Sequence, residues 1–240
     1  MITRMNRAYA TLRRRLALED PASQQLLWML LGADLLFLFL HVMLLQGHLT
    51  DVRFSVEKDR GFAEVFQYVK QYWIFLVFGW MAAQRREPHY AVWSILFGYL
   101  LVDDWFMLHE RAGAVLAGRL QLPAILRLRA RDLGELLFMG SVGILFVSGF
   151  VLTYMRAGAA TLRAGRRAAV LLAALVGFGV AVDILHQTSH GTILYNSIGT
   201  VEDGGEMLVM SLICAYAFSL QLAESVKDDE TVIASRSAER

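Results

Sequence analysis

The chain has 240 residues, 56% of them hydrophobic, with one cysteine and a formal net charge of +1. A mean hydropathy of +0.45 excludes an ordinary water-soluble domain. The lone Cys214 excludes a disulfide framework and a cysteine-based zinc site, and no stretch makes a nucleic-acid surface or a nucleotide-binding glycine loop.

About twenty apolar helical residues cross a bilayer. Six stretches approach that requirement, at roughly 26–46, 65–83, 90–108, 134–155, 167–187 and 204–223. The expected fold is all-α, a polytopic membrane helical bundle of six transmembrane helices. Residues 1–25, with Arg4, Arg7, Arg13, Arg14 and Arg15, read as a basic amphipathic segment on the cytoplasmic surface. No small-residue cleavage site follows the first apolar core, which predicts a retained anchor rather than a removed signal peptide. Residues 26–224 form the transmembrane domain and 225–240 a flexible cytoplasmic tail. With the N-terminus inside, 14 of the 23 Lys and Arg residues fall on the cytoplasmic side. The positive-inside rule then gives an N-in, C-in protein, expected in a bacterial inner membrane with its outer side facing the periplasm. Arg119, Arg127, Arg129 and Arg131 fall on the outer side, where a solvated basic face, or contact with anionic headgroups, accounts for them.

In this topology the ionisable residues gather in the outer half of the bundle. Asp34 sits near the middle of the first stretch, with His41 one heptad later. The loop Ser55-Val-Glu57-Lys-Asp59-Arg-Gly61 alternates oxygen ligands as a calcium loop does. It has Arg60 where an EF-hand needs glycine and Phe66 where the closing glutamate belongs, so a lid over the site is the expectation. Glu64 precedes the second stretch, and Lys70, within its first turns, either reaches inward to the cluster or snorkels. Asp103, Asp104, His109 and Glu110 close the third stretch, and Glu135 opens the fourth. On one continuous helix Asp103 and Glu110 share a face, while Asp104 and His109 point elsewhere. Glu202, Asp203 and Glu206 open the sixth stretch around two glycines that allow close helix approach; a helix cap accounts for Asp203. Embedded charges are costly, so such residues face the interior and are paired or ligate something.

The strongest metal signal is Asp183-Ile-Leu-His186-Gln-Thr-Ser-His190. On a helix, positions i, i+3 and i+7 fall within roughly 60° of one another. One carboxylate and two imidazoles there can meet a single divalent ion, with Asp103 or His109 completing the shell. Zinc suits this donor set best, and iron, manganese or calcium are the alternatives.

The paired histidines and the one-sided carboxylate cluster resemble the alkaline ceramidase and adiponectin-receptor superfamily of seven-helix membrane hydrolases. The resemblance implies a three-histidine zinc site, in which His186 and His190 match the pair and His109 stands for the third. It covers about five residues; six stretches are counted here rather than seven, and no early serine stands four residues before a histidine.

The expected function is metal-dependent hydrolysis of a lipid or lipid-linked substrate within the bilayer, with Glu206 or Glu110 as general base. The alternative is a proton or divalent-cation channel or transporter using the same residues, with Asp34 on its path. A homo-oligomer is compatible with either.

Overall fold

The computed structural model describes residues 20–125, 128–189, 191 and 194–238. Among these, the α-helices are α1 Pro21–Leu45, α2 Phe62–Arg85, α3 Pro88–Phe106, α4 Leu108–Leu120, α5 Ala130–Tyr154, α6 Ala159–Val176, α7 Asp183–Thr188 and α8 Tyr195–Ala238. A short 3₁₀ turn, Val52–Phe54, lies in the α1–α2 loop, and a π-helical turn, Gly177–Val182, carries α6 into α7. The all-α architecture is as expected. Residues 1–19, which hold most of the basic N-terminal segment, lie outside the described residues. The stretch expected to be a flexible tail continues α8 as helix through Ala238.

Among the described residues, four helices are long and apolar enough to cross a membrane: Pro21–Leu45, Ala130–Tyr154, Ala159–Thr188 and Tyr195–Ala223. The α3–α4 pair makes a fifth if its limbs, bent by 73°, count as one span. These helices mark a membrane-associated protein. Helix α2 is not among them, because its first turns carry Glu64, Gln67, Lys70 and Gln71.

Local chemistry sets the helix ends. Asp20 caps α1, accepting the Ser23 N–H at 2.7 Å, and Pro21 supplies the preset φ of a first helical residue. Arg86 takes a left-handed conformation (φ 53°) to stop α2, and Pro88 then starts α3. The reversal lays α3 along α2, and Phe78 stacks against Tyr90, Trp93 and Phe97 with ring centroids 6.0–6.4 Å apart. Helix α8 packs against α1, α2 and α6. It buries Met210, Ile213, Cys214 and Ala217 in the core. In lipid such packing holds through van der Waals fit and buried hydrogen bonds, since burial from water gives no drive between helices.

Helix α5 differs. It packs on α4 and α3 but makes little contact with α6, and Ile144, Leu152 and Met155 are 71%, 76% and 87% exposed. Its N-terminal end crosses α4 at Gly113 and Gly134, where a β-carbon on either would overlap the other chain segment.

Candidate functional site

A cavity of about 640 Å³ opens where the α1–α2 loop, the α3–α4 bend, the start of α5, the π turn, α7 and the first turns of α8 come together. Among the described residues, its walls carry twelve carboxylates: Glu57, Asp59, Glu64, Asp103, Asp104, Glu110, Asp132, Glu135, Asp183, Glu202, Asp203 and Glu206. Against them stand Lys58, Arg129 and Arg131, with His109 and His186. Direct ion pairing with three cations cannot balance twelve carboxylates, so the cavity favours protons or bound cations.

The bend between α3 and α4 builds the most convergent part of this wall. Met107 adopts a left-handed conformation (φ 52°), which ends α3 and turns the chain into α4. Asp103 then receives the His109 N–H on Oδ1 and pairs with His109 Nδ1 through Oδ2, each at 2.9 Å. The continuous-helix expectation, with Asp103 beside Glu110 and His109 elsewhere, is corrected: the bend swings His109 back onto Asp103, and Glu110 pairs with Arg131. Donor atoms of Asp103, Asp104 and His109 lie within 4.8 Å of one another, a grouping that can hold a metal ion. From α2, Gln71 donates to Asp104 Oδ2 at 2.6 Å. Gln71 is 3% exposed, and its amide oxygen has no partner although it lines the cavity. A buried amide oxygen without a donor is a neutral ligand suited to a hard cation.

The same cavity is also lined by Asp183, His186 and Glu202. His186 on α7 pairs through Nδ1 with Glu202 Oε2 of α8 at 2.7 Å, and its Nε2 is buried without a partner. Asp183 accepts from Gln187 at 3.3 Å. The helix bearing these residues ends at Thr188, and His190 lies outside the described residues, so the predicted three-residue face is described only for Asp183 and His186. Helix α8 begins at Tyr195, which places Asp203 inside the helix instead of at a cap. Gly204 and Gly205 allow the close approach expected of them: a β-carbon would meet Leu38 at one and overlap the Phe178 ring at the other. A β-carbon on Gly179 would overlap the Glu206 carboxylate, so the π turn leaves room for that side chain; Gly177 has nothing near it. Glu206 has no ion-pair partner among the described residues.

Of the arginines expected on a solvated outer face, Arg119 is exposed, and Arg129 and Arg131, with side chains 67% and 42% exposed, also line the cavity. Arg129 pairs with Asp132 at 2.8 Å in a capping box that starts α5, and Arg131 binds both Glu110 and Glu135. Arg127 lies outside the described residues. Glu57 accepts from Thr200 at 3.4 Å, and Glu64 accepts the Arg60 N–H.

Three predicted cluster members lie outside the cavity wall. Lys70 does not snorkel. It is fully buried and donates to Asp34 Oδ1 (3.0 Å), Ser211 Oγ (3.2 Å) and the Met207 carbonyl (2.9 Å), while Ser211 Oγ donates to Asp34 Oδ2 at 2.5 Å. His41 is also fully buried, 3.0 Å from Thr200 Oγ1 and 3.3 Å from Ser55 Oγ, and so ties α1 to the loop and to α8.

The sequence reading missed Gln67, Gln71 and Asp132. A signal was present: Glu64, Gln67 and Gln71 fall at i, i+3 and i+7 and make a polar stripe along α2. The profile of a family described as a domain of unknown function (DUF8692) matches residues 35–220. No curated protein and no solved structure matches the chain.

Proposed function

Because the chain belongs to the DUF8692 family, whose description carries no activity, its function has to be read from the site, and we propose a membrane metalloprotein that hydrolyses a lipid or another membrane-embedded substrate. In this reading α2 joins the five apolar spans as a sixth, shielded by its neighbours. The protein lies N-in and C-in in a bacterial inner membrane, and the cavity opens to the periplasm. The single observation carrying the proposal is the convergence of Asp103, Asp104 and His109 beside the unpartnered oxygen of Gln71, in a cavity with an excess of carboxylates.

Two carboxylates and an imidazole suit zinc, with iron or manganese as alternatives. A divalent ion held there by Asp103, Asp104 and His109 would supply a water of near-neutral pKa and would polarise an ester, amide or phosphoryl oxygen. The residues around it have separate tasks. Gln71 would fix Asp104, and Glu206, which lines the same cavity, would accept a proton. Glu110, tied to Arg131, is better suited to positioning than to proton transfer. Asp183, His186 and Glu202, which line the same cavity, would hold the substrate.

Ion transport is the second reading. A path across the bilayer needs polar groups continuing from the cavity, and the deepest acid, Asp34, instead closes on Lys70 and Ser211 away from the cavity wall. Elemental analysis of protein purified in detergent without chelator separates the readings. The proposal expects near-stoichiometric zinc, iron or manganese, lost in Asp103→Asn and in His109→Ala and retained in His186→Ala. Metal-free wild-type protein that still conducts protons in vesicles would overturn it.

A further inference from the structure

A second cavity, of about 620 Å³, runs between α3, α5 and α6. Its walls are almost wholly carbon. Along α5 it extends from Leu136 to Tyr154, roughly 27 Å at the helical rise per residue, close to the ~30 Å thickness of the hydrocarbon layer. Six residues, Leu100, Leu136, Met139, Leu172, Val176 and Val180, line both this groove and the carboxylate cavity. The two spaces therefore adjoin, with an apolar channel leading into a polar chamber. Val147, on the groove wall, is 61% exposed, so the channel is open sideways to lipid.

Two glycines keep it open. Gly140 and Gly143 line the groove, and a β-carbon on either would meet nothing within 4 Å. Glycine disfavours helix, and no close packing demands it at these positions, in contrast to Gly134. Their effect is to leave room beside α5 where a side chain would otherwise stand.

We propose that the groove holds the hydrocarbon chain of an amphiphile whose cationic head lies among the carboxylates. Charge complementarity selects the head: twelve carboxylates outnumber three cationic side chains by more than one divalent ion could offset. The gap between α5 and α6 is the route of access from the bilayer. The assignment rests on the membrane-substrate reading above and names the class of substrate.

The test uses the full-length protein in phosphatidylcholine nanodiscs and a hexadecylamine bearing a photoreactive diazirine at mid-chain. The expected result is crosslinking concentrated on α5 and α6 and competed by unlabelled hexadecylamine. Gly143→Trp, which places its ring in the open groove, should cut that labelling about tenfold, equivalent to about 1.4 kcal/mol of binding. Gly140→Leu serves as a smaller second filling variant, and Leu152→Trp, on the lipid-facing side of α5, should change nothing. Labelling spread evenly over the lipid-facing helices and indifferent to Gly143→Trp would overturn the groove. Equal labelling by the same chain carrying a carboxylate head would overturn the cationic assignment. Absent labelling, with a dimer in native mass spectrometry that Gly143→Trp dissociates, would also overturn it and give the face to a second copy of the chain. Metal content is measured on the same samples. Labelling without bound metal would sink the metal reading and leave the groove standing, whereas bound metal without labelling would do the reverse.

Discussion

At Lys70 the ammonium has three oxygen acceptors and the face of Phe66 at 4.9 Å, with no water-exposed surface. Removing one partner of such a pair strands a buried charge, which costs about 3–5 kcal/mol, whereas apolar replacement of both is often neutral. Lys70→Met should therefore lower the unfolding temperature in detergent sharply, and Asp34→Leu combined with Lys70→Met should restore most of it. A double variant as unstable as the single one would refute this account. Asp20 offers a milder test outside the apolar segments. The Ser23 N–H holds its carboxyl below the usual 3.8, so its contribution is complete above that value and lost as pH falls through the depressed one. Asp20→Ala should cost about 1 kcal/mol at neutral pH, and the difference should shrink as pH falls below 3.8 and the carboxyl is protonated. Unfolding of both proteins across that range checks the sign.

Between α3 and α4 the decisive feature is one backbone conformation. Met107 occupies the left-handed region, which an unbranched side chain tolerates at a cost of about 1–2 kcal/mol and a β-branched one resists. Met107→Gly should keep the bend and the metal site while raising stability slightly. Met107→Ile should disfavour the bend, part His109 from Asp103 and lower metal retention, read by elemental analysis alongside unfolding. The apolar runs were legible because hydropathy reports burial in lipid wherever it is continuous. The bend was not, since Asp-Asp-Trp-Phe-Met-Leu-His carries neither glycine nor proline to mark a break. That one omission misplaced His109 relative to Asp103 and Glu110. For Arg129 and Arg131 the i,i+3 and i,i+4 pairs with Asp132 and Glu135 are local to the start of α5, and only the pair of Arg131 with Glu110 depends on how α5 crosses α4.

At the scale of the whole molecule, acidic groups crowd one end of the bundle, as the sequence anticipated from Asp103, Asp104, Asp183, Glu202 and Glu206. The depth of Asp34 was anticipated too, but its pairing with Lys70 needed α1 and α2 side by side with α8. Orientation can be measured with single cysteines, because the native Cys214 is fully buried and silent to reagents. Lys58→Cys and Arg163→Cys, both at exposed positions, should react with an impermeant maleimide from opposite sides of the membrane, Lys58→Cys from the periplasm. Reaction of both from one side would refute the six-span topology.

The closed Asp34–Lys70 pair has a consequence for bioenergetics. An elementary charge carried across a 100 mV membrane potential exchanges about 2.3 kcal/mol with the field. A pair formed from one anion and one cation, locked at 3.0 Å, has no net charge and no displacement along that field. Within a bilayer this pair would therefore neither sense nor store the membrane potential.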